Sequence, residues 1–232
     1  MYFQHSDDIW RDFPELVPGA LHAAGITGDV SAHDRVAGFA EVAAKRLASA
    51  SESELPEIQA WRRAFSRMGL KPTQYRCASE SLLRRFRKEG SLPTLHPLID
   101  LCNAVSIAYA IPVAVFDVSQ VSGFVEVRHA AGDETYVTFS GDTEHPPAGE
   151  VIFADAAGQA HARRWTNRQS GLSAVRDTTT DVLIVAEALH DSARADIDSL
   201  LTALSGELTT LWPVTPPKPA ILTASAPRFD FS

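Results

Sequence analysis

The sequence predicts an α+β fold: a helical N-terminal region followed by a mainly antiparallel sheet domain. Three observations predict it. Apolar residues recur at the helical period in several stretches of residues 1–92 and again from 97 to 109. After Pro112 the pattern changes to short alternating runs punctuated by turn residues. An amphipathic helix then closes the series. Helices first, then strands gathered around one long helix, is an α+β order rather than an alternating βαβ order.

The elements follow in sequence. Ser31 or His33 with Asp34 can open a helix through Ala50, with Val36, Phe39, Ala40, Ala43 and Leu47 on one stripe. Leu55-Pro56 opens a second helix, since proline at the first helical position removes an N–H that has no partner there. Its stripe is Ile58, Trp61, Ala64, Phe65 and Met68, and Gly69 stops it. Ser79 is expected to cap a short basic helix through Lys88, ended by Gly90. His96-Pro97 begins a helix carrying Leu98, Leu101, Cys102, Val105 and Tyr109. Strands are expected over 113–117, 124–129, 135–139, 150–154, from 160 toward 165, and 181–188. Asp191 is expected to cap a last helix bearing Ile197, Leu200, Leu201, Leu204, Leu208 and Leu211. That stripe can pack inside the chain or form a homodimer through the C-terminal helix; internal packing is the commoner use. The expected organisation is a helical region 1–92 packed on the core, a central domain 93–190, the helix 191–212 and an extended proline-rich tail 213–232.

Composition narrows the function. The chain has 232 residues, enough for one domain with an appendage and a sizeable core. Its N-terminus has no basic stretch leading into an apolar run, and no segment has the length of a membrane span, so a cytoplasmic protein with no membrane partner is expected. Cys77 and Cys102 lie far apart and make no CxxC pair, so buried reduced thiols are expected. No dinucleotide or nucleotide cradle, nucleophile elbow or HExxH spacing is present, and no cofactor or metal is expected. His129, His145, His161 and His190 are scattered and read as surface or hydrogen-bonded histidines.

The net charge of −8 excludes nucleic-acid binding through bulk charge. The distribution is uneven, however. Arg62, Arg63, Arg67, Lys71, Arg76, Arg84, Arg85, Arg87 and Lys88 crowd one segment, opposed there only by Glu80 and Glu89. That segment is either a phosphate-contacting face or the solvated face of ordinary helices.

Five stretches in order carry a resemblance. PTLHPLIDLCNAVSIAYA at 93–110 is followed by IPVAVFD at 111–117, VSGFVEVRHAAGDETYVTFSG at 121–141, GEVIFAD at 149–155 and TTTDVLIVAEAL at 178–189. This order resembles the B3/B4 editing domain of the phenylalanyl-tRNA synthetase beta chain, and RRW–N–R at 163–168 looks like its free-standing relatives. The helix with Asn103, the strand ending at Asp117, the hairpin through Gly123, Arg128 and Gly132, and the closing strand through Thr179 and Glu187 fall on the family pattern. The resemblance implies an aminoacyl-tRNA acceptor end as ligand and hydrolysis of a mischarged ester as the reaction. No class II catalytic region is legible, so aminoacylation is not expected. The chain departs from the family in two places. Ala114 stands where the family strand Pro-Leu-His-Ala-Phe-Asp has histidine, and residues 164–168 replace a glycine-rich Gly-Val-Met-Gly-Gly stretch. Both changes fall where the editing pocket would be.

Candidate site residues follow from this reading. Asn103 can hold a water or a substrate amine, or can position the 112–117 strand. Asp142 and Glu144 can orient the attacking water, or can be surface acids. Asp117 can bind a substrate ammonium or cap the next turn. Ala114 marks the remodelled pocket wall. Trp165, Asn167 and Arg168 can stack on the terminal adenine and contact phosphate, although a tryptophan at a strand end can also be core. Glu187 needs a partner, with Arg163 or Arg164 as candidates. Arg62, Arg63, Arg67, Lys71, Arg84, Arg85, Arg87 and Lys88 are the expected tRNA-contacting set. Two rival readings stay open: a non-catalytic aminoacyl-tRNA module and a small-molecule or protein-binding module of the same fold.

Overall fold

The apolar run at Asp181–Ala188 is buried along nearly its whole length, which requires neighbours on both edges and both faces. A computed structural model describing residues 1–231 supplies them. In chain order the elements are β1 (Tyr2–His5), α1 (Asp7–Asp12), β2 (Val17–Ala24), α2 (His33–Ser49), α3 (Pro56–Arg67), α4 (Ala78–Glu89), α5 (Pro97–Tyr109), β3 (Val113–Asp117), β4 (Phe124–His129), β5 (Tyr136–Val137), β6 (Thr143–Glu144), β7 (Val151–Ala154), β8 (Ala160–Arg163), β9 (Arg168–Gln169), β10 (Asp181–Ala188), α6 (Ala193–Leu211), β11 (Ala220–Ile221) and β12 (Arg228–Asp230).

The strands form a four-stranded sheet in the order β11-β2-β10-β3 and a six-stranded sheet in the order β12-β1-β4-β7-β8-β9. Every pairing in them is antiparallel except β1 with β4. The α+β expectation with a mainly antiparallel sheet holds. One apolar core lies between α5, α6 and a face of the four-stranded sheet, through Leu101, Val105, Ile184, Ile197 and Leu204. A second joins both sheets to α1, α3 and α4, through Phe3, Trp61, Phe65, Leu83, Phe116, Phe153 and Trp165.

Several expected elements differ. Residues 1–92 are not wholly helical, because β1 and β2 lie among them and pair with β4 and β10. β1 has only four residues, and β2, though eight residues long, contains Pro18 and Gly19, which are depleted in strands, so long-range pairing decides their state. Cys77, not Ser79, is the N-cap of α4, and Ser79 is buried inside the first turn. Gly90 ends α4 with φ 76°, a left-handed turn that favours glycine. Ser192 rather than Asp191 precedes α6. The strand expected over 135–139 shrinks to β5, paired with β6 in a separate ribbon. The segment 213–232 is not simply an extended tail, since β11 pairs with β2 and β12 with β1. The regions expected to be separate therefore share sheets. The leucine stripe of α6 is spent inside the chain, with Ile197, Leu200, Leu201, Leu204 and Leu208 all buried.

Two local features make the packing testable. At Gly19 on β2, α6 approaches so closely that an added Cβ would lie 2.7 Å from both Ile197 and Leu201. Beyond β4, Glu134 accepts hydrogen bonds from the backbone N–H groups of Ala131 and Gly132 and from Arg128. Burial alone would raise its pKa, but those donors outweigh burial and hold it at about 2.

We expect Gly19→Val to lower the unfolding free energy by about 1–3 kcal/mol, the range for overpacking. Urea denaturation monitored by circular dichroism reads it, and an unchanged midpoint would contradict the close approach. Glu134 has a folded pKa below its ordinary 4.5, so its contribution is present above pH 4.5 and is lost as pH falls toward 2. Glu134→Gln should therefore be less stable than the parent at neutral pH, with the gap closing below about pH 4.5. A gap that persists unchanged at low pH would contradict this assignment.

Candidate functional site

β3 is an edge strand of one sheet and β9 an edge strand of the other. They meet where the Gln169 side-chain amide donates to the Val115 carbonyl oxygen at 2.6 Å and the Asp117 backbone N–H donates to the Ser173 carbonyl at 3.0 Å. A cleft of about 410 Å³ opens at this junction. Its lining comes from Pro112, Val113 and Ala114 on the β3 side, Phe153 and Ala162 from β7 and β8, Val185 and Glu187 from β10, Ala78 of α4 and residues 165–169. Its walls are mainly apolar with a few polar groups converging on it, the usual character of a small-ligand site.

The floor is organised by Glu187, which is only 2% exposed. A carboxylate in a strand that otherwise reads Val-Leu-Ile-Val-Ala must be hydrogen-bonded to survive burial. His5 of β1 meets one of its oxygens at 2.6 Å through Nε2, and the Trp165 indole N–H lies 3.0 Å from both oxygens. Trp61 of α3 donates its indole N–H to the Glu187 backbone carbonyl at 3.3 Å. The expected partners, Arg163 and Arg164, are instead drawn to Glu150. Arg163 makes a two-pronged bond with it at 2.9 and 3.1 Å, and the Arg164 backbone N–H donates to it at 3.1 Å.

Trp165 is fully buried, packed edge-on against Trp61 at 5.0 Å and Phe13 at 4.8 Å. Its position requires an unusual backbone: Arg164 and Trp165 both lie in the left-handed region, with φ 46° and 58°. Such a conformation costs a non-glycine residue about 1–2 kcal/mol. It persists because the turn is anchored on every side. The Trp165 backbone N–H donates to the Val151 carbonyl at 2.7 Å, the Thr166 carbonyl accepts from the Ala78 N–H at 2.8 Å, and the Asn167 amide donates to the Arg76 carbonyl at 2.7 Å. The Thr166 carbonyl thereby occupies one of the N–H groups that the first turn of α4 leaves unpaired. The Thr166 hydroxyl, in contrast, is buried at the cleft without a protein partner.

Of the sequence candidates, Ala114, Trp165, Asn167 and Arg168 come together on the cleft. Trp165 does so from beneath, so its sealed ring is core and is not free to stack on a base. The other candidates stand elsewhere. Asn103 sits half-buried on α5 and does not line the cleft. Asp117 is buried and caps a turn, accepting from the Ser119 N–H at 2.9 Å and the Thr179 hydroxyl at 2.6 Å. Asp142 is exposed in a turn and accepts from the Ser140 hydroxyl at 2.7 Å. Glu144 is paired with Arg163 at 2.5 Å and Arg168 at 2.9 Å, which buttresses the cleft rim. Sequence reasoning overlooked Thr166, and it named Glu187 only for the wrong partners. The acid inside an apolar strand was the available signal for Glu187; for Thr166 it was the departure from the family pattern at 164–168.

The basic segment is more neutralised than its sequence suggests. Arg62 and Arg76 pair with buried Glu80, Arg84 and Arg87 with buried Glu52, Arg85 with Glu89, and Arg67 with Glu15. Among the described residues, Arg63, Lys71 and Lys88 form no ion pair. Two nucleophile-like features are also closed off. Cys77 lies next to the cleft residue Ala78, but burial pushes its thiol up to about 12. His161 bonds the Ser173 hydroxyl at 2.9 Å and faces Asp155 at 3.3 Å, an array composed like a hydrolytic triad. Its histidine and serine are fully buried, so no substrate reaches it.

Residues 60–201 match the family model described as the B3/4 domain. Similar curated proteins are phenylalanine–tRNA ligase beta subunits. That of Shewanella oneidensis is 29% identical over 101 residues, 43% of this chain and 12% of that protein. That of Thiobacillus denitrificans is 31% identical over 114 residues, 49% of this chain and 14% of that protein. The matched stretch is thus a small part of those relatives. A solved N-terminal fragment of the phenylalanyl-tRNA synthetase beta-subunit from Pyrococcus horikoshii aligns with 88% of this chain and 48% of its own, at 9% identity and a TM-score of 0.45.

The geometry predicts that Trp165→Phe, which keeps a ring but removes the indole N–H, destabilises the fold by about 1–3 kcal/mol through an under-satisfied buried carboxylate. Chemical denaturation measures it. Parental stability would mean that the indole is not what holds Glu187.

Proposed function

Because this chain belongs to the B3/4 domain family, we propose that its cleft takes the aminoacylated 3′ end of a tRNA and hydrolyses the ester in trans. The observation that carries the reading is the pairing of a buried, fully oriented Glu187 carboxylate with an unpartnered Thr166 hydroxyl in one cleft. All residues lining that cleft fall within 78–187, inside the family match. A larger groove of about 1280 Å³ between α2, α4 and α5 is lined partly by residues 30–40, outside the match. On that groove His96 Nδ1 accepts from the Leu98 N–H and Asp100 from the Leu95 N–H, while His96 Nε2 is buried and meets no partner.

In this reading Glu187 accepts a hydrogen bond from a donor on the aminoacyl group. A carboxylate has lone pairs beyond those used by His5 and Trp165. An amino acid without the matching donor leaves that acceptor unpaired, which gives discrimination. A rotation of the Thr166 side chain brings its hydroxyl, buried in this structure, against a water facing the ester carbonyl. Water adds to that carbon, the bond to the ribose oxygen breaks, and the proton passes to the leaving ribose oxygen, releasing free amino acid and tRNA. Asn167 and Arg168 at the rim grip the terminal nucleotide. The α3–α4 segment contacts the acceptor stem, chiefly through Arg63, Lys71 and Lys88.

Capture of the charged end without hydrolysis is the second reading. The observation that favours it is that Glu187, the one carboxylate lining the cleft among the described residues, is committed to His5 and Trp165, while Ala114 stands where the synthetase strand has histidine.

A deacylation time course with a panel of correctly and incorrectly charged tRNAs separates these readings. We expect one ester to be lost faster than in buffer, with the acceleration abolished by Thr166→Val and Glu187→Gln. Selective retention of charged over uncharged tRNA, with ester lifetimes equal to buffer, would favour capture. No tRNA binding at low salt would overturn both. If the basic face docks on duplex, Arg63→Ala, Lys71→Ala and Lys88→Ala should each lower the slope of log K against log salt by about 0.9 per lost phosphate contact. Unchanged slopes would place the stem elsewhere.

A further inference from the structure

Two residues past the end of β10, His190 lies where the first turns of α3 and α6 converge. Glu57 of α3, His190 and Asp196 of α6 each offer a ligand atom there, all within 4.8 Å of one another. His190 Nε2 is 2.7 Å from Asp196 Oδ2. Arg46 donates to Glu57 Oε1 at 2.6 Å. The second oxygen, Glu57 Oε2, is buried and meets no donor, although Glu57 as a whole is only 8% exposed. His190 is 6% exposed, and its Nδ1 also has no partner.

A buried carboxylate oxygen without a donor is costly. The surrounding charges do not remove the difficulty. Arg46 satisfies Oε1, and the positive ends of α3 and α6 offset part of the carboxylate charge, but none of these groups brings a hydrogen to Oε2. A metal ion does what they do not. Imidazole nitrogen and carboxylate oxygen are both zinc donors, and sites with three protein ligands leave a fourth position for water. We propose that Glu57, His190 and Asp196 form a site for a divalent first-row cation of the zinc class. Arg46 is then an outer partner that orients the Glu57 carboxylate, as such partners do at metal sites.

The spacing is compatible with this after small side-chain shifts. Tetrahedral bonds of about 2.0 Å place ligand atoms roughly 3.3 Å apart. The 2.7 Å His190–Asp196 contact must open and the longest separation must close. The site joins three elements that sequence places far apart, and its ligands follow no metal motif. It also ties α3, which carries Trp61, to the end of the strand that carries Glu187. It is separate from the cleft, whose lining includes none of the three ligands.

The test uses the full chain, stripped with a chelator and dialysed against buffered zinc chloride, with bound zinc counted by elemental analysis. Thermal unfolding is followed with and without the ion. The expected result is one bound equivalent and a higher Tm with zinc, both lost in His190→Ala and Asp196→Asn and retained in the control His145→Ala. Glu57→Gln keeps the carbonyl oxygen that Arg46 contacts and should weaken binding at least tenfold; it serves as the decisive variant if the others fail to fold. With cobalt as probe, visible absorption should report a nitrogen- and oxygen-ligated ion that changes in Asp196→Asn. Zinc uptake no greater in the parent than in Glu57→Gln, or an unchanged Tm, would overturn the proposal.

Discussion

The burial of one carboxylate constrains much of this molecule. Glu187 lies near the end of a strand that the hydrophobic effect draws into the interior, and leaving such a buried group short of a hydrogen-bond partner typically costs about 1–3 kcal/mol. Its partners come from distant parts of the chain: His5 from the N-terminal strand, Trp165 from the turn between β8 and β9, and Trp61 against its backbone carbonyl. Bringing the indole of Trp165 to the carboxylate accompanies two successive left-handed residues, a conformation that needs its surrounding hydrogen bonds. The cleft is the space left above this arrangement where two sheet edges meet. Its shape is therefore coupled to the core rather than set by a surface loop.

That coupling bears on chemistry. A site supported by packed aromatics and a carboxylate oriented by His5 and Trp165 is preorganised, which suits discrimination among similar ligands. The groups expected from sequence to activate water, Asn103, Asp142 and Glu144, stand off the cleft, and Glu144 instead holds the arginine at its rim. Thr166 and Glu187 are the polar groups that line the cleft beside Asn167, Arg168 and Gln169. The basic helices tell a similar story. Much of their charge is paired with acids from other parts of the chain, so their capacity for phosphate is smaller than their arginine content suggests.

Sequence periodicity was a sound guide wherever an element owed its state to its own pattern. The helices α2, α3 and α5 begin and end close to the expected signals, with proline at the start of α3 and α5. The strands at β3, β4, β7 and β10 were legible from alternation or from an apolar run. β1, β2, β11 and β12 were not, because their state depends on pairing with strands up to the far end of the chain. The site shows the same division. Ala114, Asn167 and Arg168 were legible through departures from a family pattern, and the need of Glu187 for a partner was legible from its apolar strand. Which partners meet it was not, since His5 is 182 positions away. Acids at Glu52 and Glu15 were equally invisible as counter-charges to the basic segment.

The most direct test of the central claim is an NMR titration with a non-hydrolysable aminoacyl-adenosine analogue, following the four tryptophan indole signals and the backbone amides. The account predicts saturable shifts centred on the Trp165 indole N–H and on the amides of Thr166, Asn167 and Gln169, with the Trp212 indole unmoved. Shifts confined to the groove between α2, α4 and α5, with Trp165 silent, would contradict it.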